Sequence, residues 1–355
     1  MSLALVSVFA PTEWDTTKAL TNTLYVLDHS MVTNQTFHAI KSDRPAEAGD
    51  RFSIGIDVGG TKIAGLLLDS NKEIVTRTTF PVEKDSASAV LDALAETTQR
   101  LIGQVPEAHR PTCGVGFAVA GWLNRENDFV RFSPHLPLTG SNIRAELETR
   151  LKRPVAVAND ADAAGWAEFQ LGAARNYDDA ACLTLGTGLG SAIISAGTLI
   201  RGHLGMAGEL GHICIDTSGP KCPCGGTGCL EIFASGTGAE RAARLADLRS
   251  EKHPERTMTG RELVAAAESG NPKARAVLDQ VARPLAQALT MVVGTLDTAV
   301  IVIGGGFGSA SKYFLETLRV QYASLAPRPE SRPLVHIEVA QLGPDAGAIG
   351  AALLA

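Results

Sequence analysis

Phe52-Ser-Ile-Gly-Ile-Asp-Val-Gly-Gly-Thr-Lys-Ile-Ala-Gly-Leu-Leu-Leu-Asp69 is the stretch that decides the fold of this chain. Two apolar runs flank its central glycines, and short apolar runs bounded by turn residues predict a strand, a glycine turn and a second strand. Residues 73–80 predict a third strand. The arrangement returns at Ala180-Ala-Cys-Leu-Thr-Leu-Gly-Thr-Gly-Leu-Gly-Ser-Ala-Ile-Ile-Ser195, which indicates a weak internal duplication.

The rest of the chain alternates helical and strand patterns, read from apolar spacing and from bounding glycines and prolines. Helices are predicted at 86–103, 143–151, 161–171, 236–249, 259–268, 272–281, 283–297, 310–325 and 346–354, and strands at 113–120, 155–158, 299–303 and 335–340. Residues 131–137 predict an irregular loop, because two prolines there fix φ and lack N–H donors. A chain of 355 residues exceeds what one core usually supports, so two lobes are expected.

Composition and charge narrow the function classes. The net charge of −6 argues against an extended nucleic-acid surface, although backbone N–H groups can still bind a small anion. No Lys or Arg precedes the apolar run at residues 3–10, so a secretory signal is rejected and a cytoplasmic protein is expected. Residues 284–310 contain one charged side chain and resemble a membrane span, but their internal glycines predict a buried helix followed by a buried strand.

A metal site is predicted in the segment 205–231. His212, Cys222, Cys224 and Cys229 follow the spacing H-x9-C-x-C-x4-C, and one imidazole with three thiolates makes a complete tetrahedral shell for zinc. Chance proximity is the alternative, but half of the six cysteines fall within eight positions of this segment. Because all four positions would be filled by protein, the zinc is predicted to be structural.

The three other cysteines are predicted to be small buried hydrophobes. Cys113, Cys182 and Cys214 each lie in an apolar run. Unpaired buried cysteines fit a reducing cytoplasm better than a disulfide framework.

The first glycine turn is a candidate phosphate site. Gly59 and Gly60 allow close approach of the backbone and offer N–H groups, and the Thr61 hydroxyl adds a donor. Asp57 precedes this turn and could hold Mg²⁺ through its water shell. An ordinary glycine hairpin explains the residues equally well, and the P-loop pattern is absent.

Two further glycine segments strengthen the phosphate hypothesis. Gly186-Thr187-Gly188 lies at a second strand tip, and two such turns in matching contexts could clamp a polyphosphate from opposite sides. Gly304-Gly305-Gly306 follows a wholly apolar strand, at the end where ligands of α/β folds bind, and predicts close approach to a nucleoside. A plain turn before a helix is the alternative for the triglycine.

Asn159-Asp160 stands at a predicted junction between a strand and a helix. An Asn or Asp at such a junction is usually a helix cap. The functional alternative is a general base that accepts a hydroxyl proton, beside an amide that orients the substrate.

These motifs together resemble the ROK family (repressors, open reading frames, kinases), and within it the bacterial glucokinases. The resemblance runs from Phe52 to the C-terminus and is carried by Asp57-Val-Gly-Gly-Thr-Lys62, Asn159-Asp160, Leu185-Gly-Thr-Gly188, Gly208-Glu-Leu-Gly-His212 and Cys222-x-Cys224-Gly-x-x-Gly-Cys229-x-Glu231. It implies an α/β, two-lobed, actin-like ATPase fold of the duplicated ribonuclease H-like type. Residues 52–171 would form a small lobe with helix 344–355 packed back on it, and residues 172–343 a large lobe. Residues 1–51 would be a poorly ordered extension.

The resemblance also assigns roles within an ATP-dependent hexose kinase, with glucose favoured. Asp160 would be the catalytic base, and zinc would be held by His212 and the three cysteines. Sugar hydroxyls would be bound by Asn159, Glu209, His212, Glu231 and Gly121. ATP-Mg²⁺ would be bound by Asp57, Gly59, Gly60, Thr61, Lys62, Gly186, Thr187, Gly188, Gly304, Gly305 and Gly306. The family resemblance implies a homodimer or a homotetramer.

Two departures from the family pattern leave the sugar open. Asp162 replaces a common Asn, and His135 replaces another. N-acetylmannosamine, mannose, fructose or N-acetylglucosamine could be the acceptor, and polyphosphate could be the donor. A sugar-sensing repressor is the rival from another class, but residues 1–50 show neither the amphipathic helices nor the basic face of a helix-turn-helix.

Overall fold

A computed structural model describes residues 51–327 and 331–355. The extension predicted for residues 1–51 therefore lies outside the described residues up to position 50. The strands are β1 Ser53–Val58, β2 Lys62–Leu68, β3 Ile74–Pro81, β4 Gly114–Val119, β5 Trp122–Leu123, β6 Val130–Phe132, β7 Ala156–Asn159, β8 Ala180–Leu185, β9 Leu189–Ser195, β10 Thr198–Leu199, β11 Val300–Gly304 and β12 His336–Val339. The helices are α1 Ala87–Ile102, α2 Ile143–Leu151, α3 Asp160–Gln170, α4 Gly236–Leu245, α5 Gly260–Glu268, α6 Pro272–Asp279, α7 Ala282–Leu296, α8 Leu315–Leu325 and α9 Ala346–Leu353.

The predicted duplication is visible in the topology of the two large sheets. The first has the strand order β3-β2-β1-β4-β7, and the second has the order β10-β9-β8-β11-β12. In each sheet the first three strands are antiparallel and the last two add in parallel. Three residues connect β1 to β2 and three connect β8 to β9, so each sheet carries its glycine turn at the corresponding place.

Each sheet has its own apolar core, as expected for two lobes. Under the first sheet, apolar side chains of its strands pack with those of α1 and α2. Under the second, apolar side chains of β8, β9 and β11 pack with those of α4 to α8. α1 illustrates why these segments are helical, since Ser86 caps its N-terminus and Val90, Leu91 and Leu94 form one buried face.

Two helices cross between the halves of the duplication. α3 follows β7 of the first sheet but packs against β8 and β9 of the second, whereas α9 packs against β1, β2 and β4. α3 and α9 also contact each other, and small residues make this possible. A Cβ atom at Gly350 would overlap the carbonyl oxygen of Ala163, and one at Gly55 would overlap that of Ala348.

Substituting Gly350 should therefore destabilise the fold strongly. We expect Gly350→Ala to lower the free energy of unfolding by about 3 kcal/mol, because rigid backbone must move to admit the methyl group. Gly294→Ala in α7 is the matched control, since a Cβ atom there meets nothing within 4 Å. The control should raise stability by about 0.5–1 kcal/mol. Equal changes in the free energy of unfolding for Gly350→Ala and Gly294→Ala, measured by urea unfolding, would contradict this packing.

Several predicted boundaries need correction. α4 ends at Leu245 rather than 249, because Asp247 takes a positive φ of 50° and Arg249 pairs with Thr257. The predicted loop 131–137 begins inside β6, which pairs with β5 in a short hairpin. Residues 307–313 form a 3-10 helix, so the α-helix predicted at 310–325 starts at Leu315.

The apolar segment 284–310 forms the predicted helix and strand, α7 and β11. Leu285, Leu289 and Val293 of α7 are buried against the second sheet, together with Ile301 and Ile303 of β11. Within the described residues, no helix combines the length and apolarity needed to cross a membrane.

Candidate active site

The carboxyl ends of β1, β4 and β7 bring three predicted site segments to one edge of the first sheet. These strands are parallel, with Val58 beside Val119 and Val119 beside Asn159. The residues that follow them therefore converge. The Asn159 side-chain Nδ2 donates to the carbonyl oxygen of Gly121 at 3.0 Å.

Asn159 is the N-cap of α3. Its Oδ1 accepts hydrogen bonds from the backbone N–H groups of Ala161 at 2.8 Å and Asp162 at 3.0 Å. Asp160 is the first residue of the helix, and its Oδ1 accepts from Ala161 at 3.0 Å. The cap thus fixes the position of Asp160 at the start of α3.

Two buried carboxyl groups lie close enough to influence each other at this edge. Burial raises the pKa of Asp160, while backbone N–H groups, Asn159 and the charge of His135 oppose that rise. The pKa of Asp57 is raised to about 7, mainly by burial and also by the charge of Asp160, against the opposing charge of Lys62. A carboxyl group with a raised pKa accepts a proton more readily, which suits a general base.

The first glycine turn is closed by a hydrogen bond from the Gly59 N–H to the Lys62 carbonyl at 3.0 Å. Thr61 and Lys62 are exposed at its tip. A Cβ atom placed on Gly60 would lie 3.0 Å from the His135 Cβ atom and 3.8 Å from the Lys84 Nζ atom. In the sequence, His135 stands out only as a departure from the family pattern, and nothing there indicates that Lys84 belongs to the site.

The second glycine turn is held by the start of α4. The Gly186 N–H donates to Gly188 at 2.9 Å, and the Gly236 N–H donates to Gly186 at 2.8 Å. The Thr237 hydroxyl donates to the Thr187 carbonyl at 2.6 Å. The positive end of α4 therefore lies beside this turn, which favours an anion. The sequence analysis missed this contact, although Ser235 before the helix is an ordinary N-cap signal.

The triglycine segment packs against the strand that leads into the second turn. Gly305 has a φ of 87°, and a Cβ atom there would overlap the backbone of Leu185 at the end of β8. Gly304 and Gly306 flank this close approach. The structure thus brings two of the predicted nucleotide-binding segments together.

Glu231 connects the cysteine loop to the second turn. Its Oε2 accepts a hydrogen bond from the Leu189 N–H at 2.9 Å, and a Cβ atom on Gly188 would overlap that oxygen. The carboxylate therefore has one oxygen bound by the turn and a second that can accept a hydroxyl hydrogen bond.

The predicted metal ligands converge into one cluster. One ligand atom from each of His212, Cys222, Cys224 and Cys229 lies within 4.8 Å of every other. The Cys222 Sγ and His212 Nδ1 atoms are 3.8 Å apart, and the Cys224 and Cys229 Sγ atoms are 3.7 Å apart. Sulfurs at tetrahedral positions around zinc, with bonds of about 2.3 Å, are spaced by about 3.7 Å. The four residues therefore fit a zinc ion.

His212 joins this cluster to the candidate sugar site. Its Nδ1 faces the cysteines, while its Nε2 lies 4.0 Å from a carboxylate oxygen of Glu209. Trp122 stands edge-on to the imidazole at a centroid distance of 6.3 Å. Burial raises the pKa of Glu209, and His212 and a hydrogen bond from Trp122 oppose that rise. Sequence reasoning missed Trp122, because nothing in its local pattern marks it.

One cysteine prediction is wrong. Cys113 and Cys182 are buried as predicted, but Cys214 is exposed. Ile213 and Ile215 pack against the core of the second lobe, and Cys214 lies between them in a bridge with Cys229. Side chains alternate along extended backbone, so the residue between two inward isoleucines points outward.

Asp162 carries a buried charge beside this site. It is 5% exposed, and its carboxylate makes no hydrogen bond to the described residues. Its pKa is raised to about 7, mainly by burial and also by the charges of Glu209 and Asp160, while Arg201 opposes the shift. The group is therefore more readily protonated in the folded chain than in the unfolded chain.

The stability of the protein should depend on pH through Asp162. A raised folded-state pKa gives stability that is complete below the unfolded pKa of 3.8 and is lost as pH rises through about 7. Asp162→Asn removes this loss of stability. The free energy of unfolding of the variant, minus that of the unsubstituted protein, should therefore increase by roughly 3 kcal/mol between pH 5 and pH 8. Urea unfolding at both pH values measures it, with the exposed Asp85→Asn as control. A difference in the free energy of unfolding between Asp162→Asn and the unsubstituted protein that does not change with pH would contradict this account.

Comparison with known proteins identifies the family. The model of the ROK family matches residues 53–355. The chain belongs to the ROK family. It superposes on solved ROK sugar kinases, which have the two-lobed actin-like ATPase fold, so the predicted fold is confirmed.

Relatives within the ROK family include sugar kinases. The glucokinase of Streptomyces coelicolor is 33% identical over 316 residues, covering 85% of this chain and 97% of that protein. An N-acetylmannosamine kinase of Salmonella paratyphi B is 35% identical over 305 residues, covering 85% and 98%. The crystal structure of a ROK glucokinase from Streptomyces griseus, in complex with glucose and AMPPNP, superposes with a TM-score of 0.75 and 31% identity, covering 86% and 99%.

Proposed function

We propose that this ROK chain is an ATP-dependent hexose kinase that phosphorylates the 6-hydroxyl of glucose. The observation that carries the proposal is that the Asn159 cap fixes Asp160 at the edge of the first sheet, close enough to Glu209 for the two carboxyl groups to interact. The relative crystallised with glucose and AMPPNP supports glucose as acceptor and ATP as donor.

In the proposed reaction Asp160 accepts the proton of the 6-hydroxyl while that oxygen attacks the γ-phosphorus and ADP leaves. Phosphoryl transfer depends mainly on positioning and on charge stabilisation, so one well-placed carboxylate suffices as base. The Asn159 cap holds Asp160 in place through the start of α3. Asn159, Gly121, Glu209, His212 and Glu231 orient the sugar through its hydroxyl groups.

The three glycine segments form the proposed nucleotide site. The first turn with Asp57 and the second turn offer N–H groups to the phosphates. The positive end of α4, whose first N–H groups bond to the second turn and to Ser235, adds its dipole. The triglycine admits the nucleoside. Mg²⁺ would be held near Asp57 through water and would neutralise phosphate charge. Loading of the metal should lower the pKa of Asp57, because a nearby cation favours the carboxylate.

Zinc in the cysteine cluster would organise the acceptor pocket. His212 would ligate through Nδ1, which leaves Nε2 directed towards Glu209. When bound, the ion supplies rigidity to the loop and takes no part in the chemical step. The proposal also includes lobe boundaries at residues 52–171 and 172–343, a homodimer or homotetramer, and a cytoplasmic location.

A coupled phosphorylation assay tests the function. The sugar panel contains glucose, mannose, fructose, N-acetylglucosamine and N-acetylmannosamine, with ATP and polyphosphate as donors. Glucose with ATP should give the highest kcat/KM. The absence of turnover with every sugar and both donors would contradict a kinase.

N-acetylmannosamine is the second candidate acceptor, because relatives with that activity in their names are as similar as the glucokinases. The same panel separates them. A kcat/KM for N-acetylmannosamine above that for glucose would transfer the proposal to the amino sugar and leave the site residues unchanged.

A further inference from the structure

His135 lies where the first glycine turn meets the proposed base. The Cβ position of Gly60 is 3.0 Å from the His135 Cβ atom, so the two backbones are in close approach. His135 also acts electrostatically on Asp160. One imidazole is thus near both the turn proposed to hold phosphate and the carboxylate proposed to take the proton.

The loop that carries His135 is fixed to the edge of the first sheet. The Ser133 hydroxyl donates to the Ala120 carbonyl at 2.7 Å, and the Ser133 N–H donates to the Thr139 hydroxyl at 3.0 Å. Leu136 is buried in the core of the first lobe. These contacts hold the imidazole at the edge while the side chain itself stays exposed.

A second donor lies beside His135 at the same turn. The Lys84 Nζ atom is 3.8 Å from the Gly60 Cβ position. Neither Lys84 nor His135 makes a hydrogen bond or an ion pair with the described residues. Their N–H groups are therefore available to a ligand held against Gly60.

We propose that His135 is a further catalytic residue, which donates a hydrogen bond to a non-bridging oxygen of the phosphoryl group in transfer, with Lys84 as a second donor beside it. This inference rests on the proposed kinase function. It differs from a sugar contact, because the partner is the transferred phosphoryl group and not the hexose ring.

The chemistry of the site requires such donors. Asp57 and Asp160 place two carboxyl groups next to the turn proposed to hold phosphate, and each repels an anionic phosphoryl group when it is ionised. Donors that act on the equatorial oxygens stabilise the charge of the transition state. His135 forms no covalent bond, so the proton of the sugar hydroxyl still goes to Asp160.

Binding of glucose 6-phosphate, compared with glucose, tests the proposal because the two ligands differ only by the phosphoryl group. Calorimetry uses the zinc-loaded full chain. We expect His135→Ala to weaken glucose 6-phosphate binding about tenfold and to change glucose binding less than twofold. In the ATP assay it should lower kcat about 10²-fold with the glucose KM unchanged. Lys84→Ala should also weaken glucose 6-phosphate binding and lower kcat, but by smaller factors than His135→Ala.

Arg131→Ala is the matched control, since this exposed cation lies in β6 just before the loop of His135 and its side chain makes no hydrogen bond or ion pair with the described residues. This variant should have unchanged affinities for glucose and glucose 6-phosphate and an unchanged kcat. Equal loss of glucose and glucose 6-phosphate binding in His135→Ala, or no change in either, would overturn the proposal. The unsubstituted protein reports on the kinase function separately, because its turnover does not depend on which residue contacts the phosphoryl group.

Discussion

Asp160→Asn should lower kcat with ATP and glucose by about 10²–10⁴-fold. The amide keeps the size of the carboxylate and can still accept from the Ala161 N–H, so α3 should start as before. It cannot take up the hydroxyl proton. The glucose KM should change little, because the loss is confined to the transition state. A coupled ADP assay with circular dichroism of the same samples measures both activity and fold.

Asp162→Asn makes the same chemical change two residues further along α3 and serves as the comparison. It removes a carboxyl group that is buried near Asp160 but that the proposed mechanism does not use as the base. Its kcat should stay within about tenfold of the unsubstituted value. Near-normal turnover in Asp160→Asn would show that the base has been assigned to the wrong residue.

Cys224→Ser should remove zinc and glucose affinity together. Serine is a poor zinc ligand, and Cys224 belongs to the cluster that positions His212. Without the ion, the imidazole and its neighbour Glu209 lose their fixed orientation, so the glucose KM should rise at least tenfold. Metal analysis and glucose titration on one preparation measure the two effects.

Cys214→Ser is the matched control for that experiment. Cys214 is exposed and lies in the same loop, opposite Cys229, but outside the four-residue cluster. This variant should keep one zinc per chain and a normal glucose KM. A Cys224→Ser protein that has lost zinc and still binds glucose normally would separate the metal from the acceptor pocket.

Local sequence patterns were enough to predict those features in which the residues that carry the chemistry also determine the local backbone geometry. The glycine turns at residues 59–61 and 186–188 follow from glycines bounded by apolar runs. The cluster of the four predicted zinc ligands follows from their spacing, and these side chains do converge. The repeated pattern also predicted the duplication that the two sheets display.

Tertiary contacts explain what local patterns could not predict. Lys84 and Trp122 reach the site from a loop and a short hairpin, and nothing in their own segments points there. The contact of Thr237 with the second turn depends on how α4 docks. Cys214 was misassigned because its apolar neighbours suggested burial, whereas alternation places it outside.

Phosphorylation of glucose compared with 6-deoxyglucose tests the central claim most directly. The full chain is incubated with ATP, Mg²⁺ and each sugar, and the products are followed by phosphorus NMR and ADP release. Glucose 6-phosphate should form in step with ADP, and 6-deoxyglucose should give no ADP above the sugar-free background. Equal ADP release with both sugars, or a phosphate on another hydroxyl, would contradict transfer to the 6-hydroxyl at this site.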